Sequence, residues 1–382
     1  MGAFWNTNEL NVKYSDITEQ VGNCLRNQNY TRALELIDSI KNEKDGVKFF
    51  LLGMVYYVQG KISDAEKFYL QAVKNGLVKA MCELGSFYDK QKKYAEAESF
   101  YLQAFKNGFD EATFNLGLLY FNQGKFKEAE SFYLQAIKNG KVKASAMYNL
   151  GLLYHNQSKF ADAESFYLQA VENGSVNAMY NLGVFYKNQG KLLEAERFYL
   201  QAVKYGRVDA MHNLGNIYYK QGKHLEAEKI WIQAVENGSV KTIDDLGSLY
   251  FVQGKFSEAK KYWLWAVESG SANAMLNLGN LYDKQGNSSE AERFYLQAVE
   301  NGNIGAMYNL GILYYGQGKL SGAEKIWLQA SMNGNADAMY NLGILYNSQR
   351  KFAEAKKYLL LANENGHNNA INTLYDLGLL QK

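Results

Sequence analysis

The sequence predicts an all-α fold, a right-handed superhelical solenoid of stacked helix-turn-helix repeats, and three observations carry that prediction. A Leu-Gly pair recurs ten times, from Leu52-Gly53 to Leu342-Gly343, always at a step of 32 residues except for one step of 34. Each interval holds two short amphipathic patterns with helical spacing. Each interval also ends in glycine, from Gly76 to Gly366, usually after Asn. Repeats are numbered from the first of these pairs, and positions within a repeat are counted so that the glycine of Leu-Gly is position 8.

Residues 1–14 form an N-terminal extension. They lack the basic start and apolar run of a secretory signal, and Asn6 stands where a myristoylation motif after Gly2 needs Ser or Thr. Residues 15–46 read as a degenerate helix pair, with Gly22 and Ala33 near the repeat register, and are expected to cap the array. Residues 47–366 are ten tandem helix pairs. Residues 367–382 are expected to add one capping helix over the last pair.

The details of a repeat are seen in the ninth, from Ala306 to Gly334. Ala306, Leu310 and Tyr314 mark one face of a first helix, and Ala323, Trp327 and Ala330 mark a stripe on a second. Alanine fills positions 20 and 27 in all ten repeats, which suits close helix approach beside the large residue at position 24. Glycine at position 31 is a C-cap signal, and it stops the second helix in a chain with no proline. Helices of about 12 residues are marginal alone, so stability must come from stacking. The step of 34 places two extra residues near 141–145, either lengthening a loop or shifting the stacking there.

Composition leaves several function classes without support. A net charge of +2 provides no field for phosphate backbones or anionic membranes. No stretch is long and apolar enough to span a bilayer. Cys24 and Cys82 lack pairing or ligand spacing, so reduced packing thiols are expected, and the missing secretory signal and apolar span make the expected address cytoplasmic. His155, His212, His224 and His367 fall at unrelated positions, which gives no metal site. Acidic residues at position 21, such as Glu130 and Glu164, read as a solvated face. The glycines sit at helix turns and caps, not in a phosphate loop. No nucleophile with a base stands out, so neither an enzyme nor a cofactor is expected.

Leu-Gly-x-x-Tyr, followed by alanine, an aromatic and alanine twelve, sixteen and nineteen residues after the glycine, resembles the tetratricopeptide repeat. The link Asn-Gly-x-x-x-Ala-Met-Tyr-Asn-Leu-Gly is similar to the Sel-like branch of that superfamily. The present repeat lacks the longer turn of the Sel-like unit, and the proline and two residues of the tetratricopeptide unit. The resemblance covers residues 47–366 and implies a scaffold that holds peptides or protein partners against its first helices.

Position 6 is the column with recognisable binding chemistry: Asn115, Asn149, Asn181, Asn213, Asn277, Asn309 and Asn341. Asn is a poor helix former, so a run of it within helices has to be offset by something. A carboxamide both donates and accepts, and can bond a peptide unit whatever its side chain. The column resembles the asparagine ladder with which tetratricopeptide arrays hold extended backbone. Bonding between adjacent helices is the alternative for the same residues. Position 12 varies and includes Phe121, Tyr219, Phe251 and Tyr315, which suit side-chain selection or, equally, packing between neighbours. Repeat seven departs most, with Asp244 and Asp245 in place of Tyr and Asn, and Trp265 in place of Gln. Trp265 is a candidate contact or a local repacking.

The expected function is therefore a non-enzymatic scaffold that binds an extended polypeptide in its concave groove. A sensor or self-assembling array is one alternative. An RNA-binding helical array is another, but it needs a basic groove, and position 13 offers little beyond Lys90, Lys220 and Lys284.

Overall fold

A computed structural model of the chain describes residues 14–42, 45–140 and 142–381. The described residues form 23 α-helices and no strand. Most of the N-terminal extension lies outside them. The chain divides into two compact units, residues 1–191 and 192–382.

In the first unit, α1 (Ser15–Arg26) and α2 (Tyr30–Asp38) precede four hairpins and one further helix. The hairpins are α3 (Gly46–Val58) with α4 (Ile62–Lys74), α5 (Val78–Lys90) with α6 (Tyr94–Lys106), α7 (Glu111–Asn122) with α8 (Phe126–Asn139), and α9 (Lys143–Asn156) with α10 (Phe160–Glu172); α11 (Val176–Asn188) follows. The second unit opens with α12 (Leu192–Lys204). Its hairpins are α13 (Val208–Lys220) with α14 (His224–Glu236), α15 (Val240–Val252) with α16 (Phe256–Glu268), α17 (Ala272–Lys284) with α18 (Ser288–Glu300), α19 (Ile304–Gly316) with α20 (Leu320–Met332), and α21 (Ala336–Ser348) with α22 (Phe352–Glu364). The last helix is α23 (Ala370–Asp376).

Within a hairpin, the small residues set the spacing. Ala129 and Ala136 are fully buried on α8. A Cβ placed on Gly117 of α7 would lie 2.6 Å from Cδ1 of Tyr133, the position-24 ring of α8. Glycine inside a helix costs about 1 kcal/mol relative to alanine, and here that cost is offset by the approach of the two helices over a buried tyrosine.

Both helices of a repeat end on a left-handed residue. After α4, Gly76 has φ +82°, its N–H donates to Val73 O at 2.9 Å, and the N–H of Leu77 donates to Ala72 O at 3.1 Å. This pair of bonds satisfies carbonyls that the helix end would otherwise leave open. After α3 the same pair forms, from Gly60 to Tyr57 O and from Lys61 to Tyr56 O. The second bond has a side-chain consequence. It brings Lys61 back over Tyr56, whose ring centroid lies 5.4 Å from the ammonium. Lys93 and Tyr88, Lys125 and Tyr120, and Lys159 and Tyr154 repeat the arrangement.

Those tyrosines, at position 11, also join one repeat to the next. Tyr88 donates to Glu66 at 2.6 Å, Tyr120 to Glu98 at 2.8 Å and Tyr154 to Glu130 at 2.6 Å, and Tyr186 donates to Glu164. In the second unit Tyr250 donates to Glu228, Tyr314 to Glu292 and Tyr346 to Glu324. The glutamates at position 21, which patterning assigns to a solvated face, are thus acceptors in an inter-repeat bond. Desolvation by burial and the neighbouring glutamate together push the hydroxyls of Tyr120, Tyr154 and Tyr314 up to about 12.

The 34-residue step leaves this junction intact. Tyr154 and Glu130 are 24 residues apart where the other pairs are 22 apart, yet the bond is the same. The added length is taken up where α8 runs on to Asn139 and α9 begins at Lys143, each helix having 14 residues. At the far end, Ala370 and Leu374 of α23 are fully buried, and Tyr340 stacks on His367 with ring centroids 4.0 Å apart.

Candidate functional site

The position-6 asparagines are all half-buried on first helices. Four of them donate through Nδ2 to the first helix of the repeat before. Asn115 donates to Cys82 Sγ at 3.1 Å, Asn181 to the Tyr148 hydroxyl at 3.1 Å, Asn277 to Asp244 Oδ1 at 3.4 Å and Asn309 to Asn280 Oδ1 at 2.7 Å. Burial, with Glu83 adding to it, pushes the Cys82 thiol up to about 12, so Asn115 faces a neutral sulfur. Asn149 donates to Ser145 O in its own helix at 2.9 Å. One N–H of these amides is therefore committed. That fixes the plane of the amide; Asn181 and Asn309 also hydrogen-bond the Tyr167 and Tyr295 hydroxyls of the preceding repeat, so it is the carbonyl lone pairs that are offered to other partners.

The position-12 rings are held differently, because their aromatic contacts run to their own second helix, while Phe251 also meets the Lys284 ammonium of the next repeat at 5.4 Å. Phe121 meets Phe126 at 5.8 Å between centroids, Tyr219 meets Trp231 at 5.8 Å, Phe251 meets Trp263 at 5.5 Å and Tyr315 meets Trp327 at 5.8 Å. Phe121, Tyr219 and Phe251 are half-buried, whereas Tyr315 is 44% exposed. Trp265 is 45% exposed on α16, where it stacks on Tyr262 and lines a shallow hollow with Lys260, Lys261, Leu264 and Glu268. Every residue lining that hollow belongs to the second helix, so the structure does not bring Trp265 together with the asparagines.

Repeat seven changes both of its faces. At the junction to repeat eight, position 21 is Lys260, and its ammonium lies 4.9 Å from the centroid of the Tyr282 ring. Position 16 of repeat eight is Asn287 in place of lysine, and it caps α18 by accepting from the Glu290 N–H. The cation over the tyrosine thus comes from the preceding repeat, and the carboxylate is gone.

On the first helices, position 5 is aromatic at Phe114, Tyr148, Tyr180, Tyr308 and Tyr340, but it is His212 in repeat six, Asp244 in repeat seven and Leu276 in repeat eight. A cavity of about 520 Å³ opens there, lined by His212, Asp244, Asp245, Ser271, Leu276 and Asn277 among others. His212 Nδ1 lies 3.1 Å from Asp245 Oδ2, and Nε2 lies 3.1 Å from the Asn216 amide. Ser271, the N-cap of α17, donates to Asp244 Oδ2 at 2.8 Å. Burial raises the Asp244 carboxyl, Ser271 opposes that shift, and the charge of Asp245 adds to it. Sequence reading singled out Asp244 and Asp245 but not His212 or Ser271. The available signal was the loss of an aromatic at position 5 in adjacent repeats.

Among the described residues no group of three or more His, Cys, Asp or Glu side chains is placed to hold a metal ion. No helix among them is long and apolar enough to cross a membrane.

An array of helix hairpins, most of them joined by the same tyrosine-glutamate bond, defines a helical-repeat protein. The tetratricopeptide-repeat family model matches residues 50–110, 114–178, 245–303 and 308–368, and a second tetratricopeptide model matches 176–208 and 207–236. The chain belongs to the tetratricopeptide-repeat family, and that makes it a protein-protein interaction scaffold. No curated protein matches it in sequence. Among solved structures it is similar to a Sel1 repeat protein from Oxalobacter formigenes, at 23% identity over 57% of this chain and 98% of that one, with a TM-score of 0.44. It is also similar to yeast Tom70, at 12% identity over 95% of each chain with a TM-score of 0.46. Human IFIT1, solved as a dimer with m7Gppp-AAAA, is 16% identical over 94% of this chain and 92% of that one, with a TM-score of 0.46.

Proposed function

We propose that the chain is a non-enzymatic cytoplasmic scaffold that holds an extended polypeptide segment along its first helices, with the position-6 asparagines bonding the backbone of that segment. The observation that carries this reading is the committed N–H of Asn115, Asn181, Asn277 and Asn309. An amide already fixed in its plane loses little freedom when it takes a ligand, and so costs less to engage than a free one. Each backbone bond contributes about 0.5–1.5 kcal/mol net, so several must act together. Tyr315, exposed near the end of its helix, supplies side-chain contact area. The two free thiols, Cys24 and Cys82, suit a reducing compartment.

The test replaces Asn181, Asn213, Asn277 and Asn309 together with Ala and measures capture of partners from a native lysate beside the parent chain, with helicity checked by circular dichroism. Partners lost from the folded variant support the reading. Undiminished capture by a folded variant overturns it.

A further inference from the structure

We propose that the cavity between the first helices of repeats six, seven and eight receives a basic side chain, lysine or arginine, of the bound polypeptide. The inference deepens the scaffold reading by naming what one part of the segment must carry, and it rests on that reading for the polypeptide itself.

The cavity exists because three successive position-5 residues are His212, Asp244 and Leu276 where all the other repeats but the second, which has Cys82, carry Tyr or Phe. Replacing a ring by a short carboxylate vacates volume and puts charge at its edge. Two consecutive carboxylates of α15, Asp244 and Asp245, face the space, against one ammonium, that of Lys241, on an exposed residue of the same lining, and the imidazole of His212, whose Nδ1 lies 3.1 Å from Asp245 Oδ2. Asp244 is satisfied on one oxygen by Ser271, but its other oxygen has only the Asn277 amide at 3.4 Å. Like charges held close in a partly desolvated site favour a cation that pairs with both. Val240 and Leu276 line the same space and offer apolar surface to an aliphatic stem. Dimensions, charge and apolar wall together match a side chain with a methylene stem and a cationic head. An anionic or purely apolar residue does not fit that combination.

The probes are Nα-acetyl-arginine amide, Nα-acetyl-lysine amide and the uncharged Nα-acetyl-norleucine amide, titrated into the full chain while the methyl resonances of Val240 and Leu276 are followed. Saturable shifts with the arginine or lysine amide, and weaker or no shifts with the norleucine amide, are expected, and the relative response to the first two assigns the preferred cation. Asp244→Asn with Asp245→Asn should weaken the cationic probes about ten-fold or more. Asn at 245 is the residue most repeats carry, so that variant keeps the local packing. Asp244→Tyr, which returns the ring and fills the space, should abolish the shifts. Equal binding of the norleucine amide, unchanged affinity in the double Asn variant, or no saturable shift with any probe overturns the proposal. Each probe is a single residue and reports the cavity alone. A null result here leaves capture by the asparagines standing, and loss of that capture would leave a positive result here intact.

Discussion

Tyr120 donates its hydroxyl proton to Glu98 at 2.8 Å across the junction between two repeats, while Lys125 of its own repeat lies 5.3 Å from the centroid of its ring. One side chain thus closes a turn and joins two hairpins. Removing the hydroxyl separates the two roles. Tyr120→Phe should lower unfolding free energy by about 1 kcal/mol, the net worth of one hydrogen bond to a partly exposed charged group. Urea denaturation followed by circular dichroism measures it.

Alkaline pH should weaken every such junction. The hydroxyls of Tyr120, Tyr154 and Tyr314 stand at about 12 in the fold against 10.0 for a free tyrosine. The folded chain therefore holds these protons more tightly than the unfolded one. Their contribution is complete below about pH 10 and is lost as pH rises towards about 12. Tyrosinate absorbance should rise with loss of helix in that window, and Tyr120→Phe should lessen the pH-dependent part.

Gly117→Ala tests close packing against helix propensity. Alanine is favoured in an isolated helix by about 1 kcal/mol. Its methyl would sit 2.6 Å from Tyr133 Cδ1, however, and overpacking of that kind costs about 1–3 kcal/mol. The expected result is a less stable protein despite the better helix former. In a double-mutant cycle with Tyr133→Val, the two losses should sum to more than the loss in the combined variant.

Three repeats place a side chain where the others have a left-handed glycine. Lys92 has φ +61°, Ser158 +59° and Arg350 +62°, while Gly124 and Gly222 hold the same position at +73° and +75°. Lys92→Gly, Ser158→Gly and Arg350→Gly should each stabilise the chain by about 1 kcal/mol. A rise in thermal midpoint in each single variant is the readout.

The period, the alanine columns and the glycine stops were legible in the residues because each is a local rule: a helix needs a face, a close approach needs a small side chain, and a helix end needs a left-handed residue. Features that depend on stacking were not. Glu130 reads as solvated until the next repeat brings Tyr154 against it. A lysine at the start of a second helix, such as Lys125, has no evident purpose until the turn folds it over Tyr120. For the asparagines the residues left two readings, and the Nδ2 bonds of Asn115 and Asn309 show an inter-repeat role that a ligand role would have to share. The cavity stayed hidden because its walls come from three repeats, and only an alignment of position 5 across neighbours puts His212 beside Asp244.

The tyrosine-glutamate junction has an evolutionary corollary. Because the outgoing carboxylate of one repeat fits the incoming hydroxyl of nearly any other, whole repeats can be gained or lost by recombination without repair of an interface. Copy number is then free to drift. Among the repeats that another repeat follows, the exception is the seventh, whose Lys260 answers a Tyr282 that is followed by Asn287 in place of lysine. Those two repeats are matched to each other, and a crossover between them would leave one cation too many on one side and none on the other. The pair forms a fixed landmark in an otherwise interchangeable series, and it lies beside the stretch of three first helices where the aromatic column is interrupted.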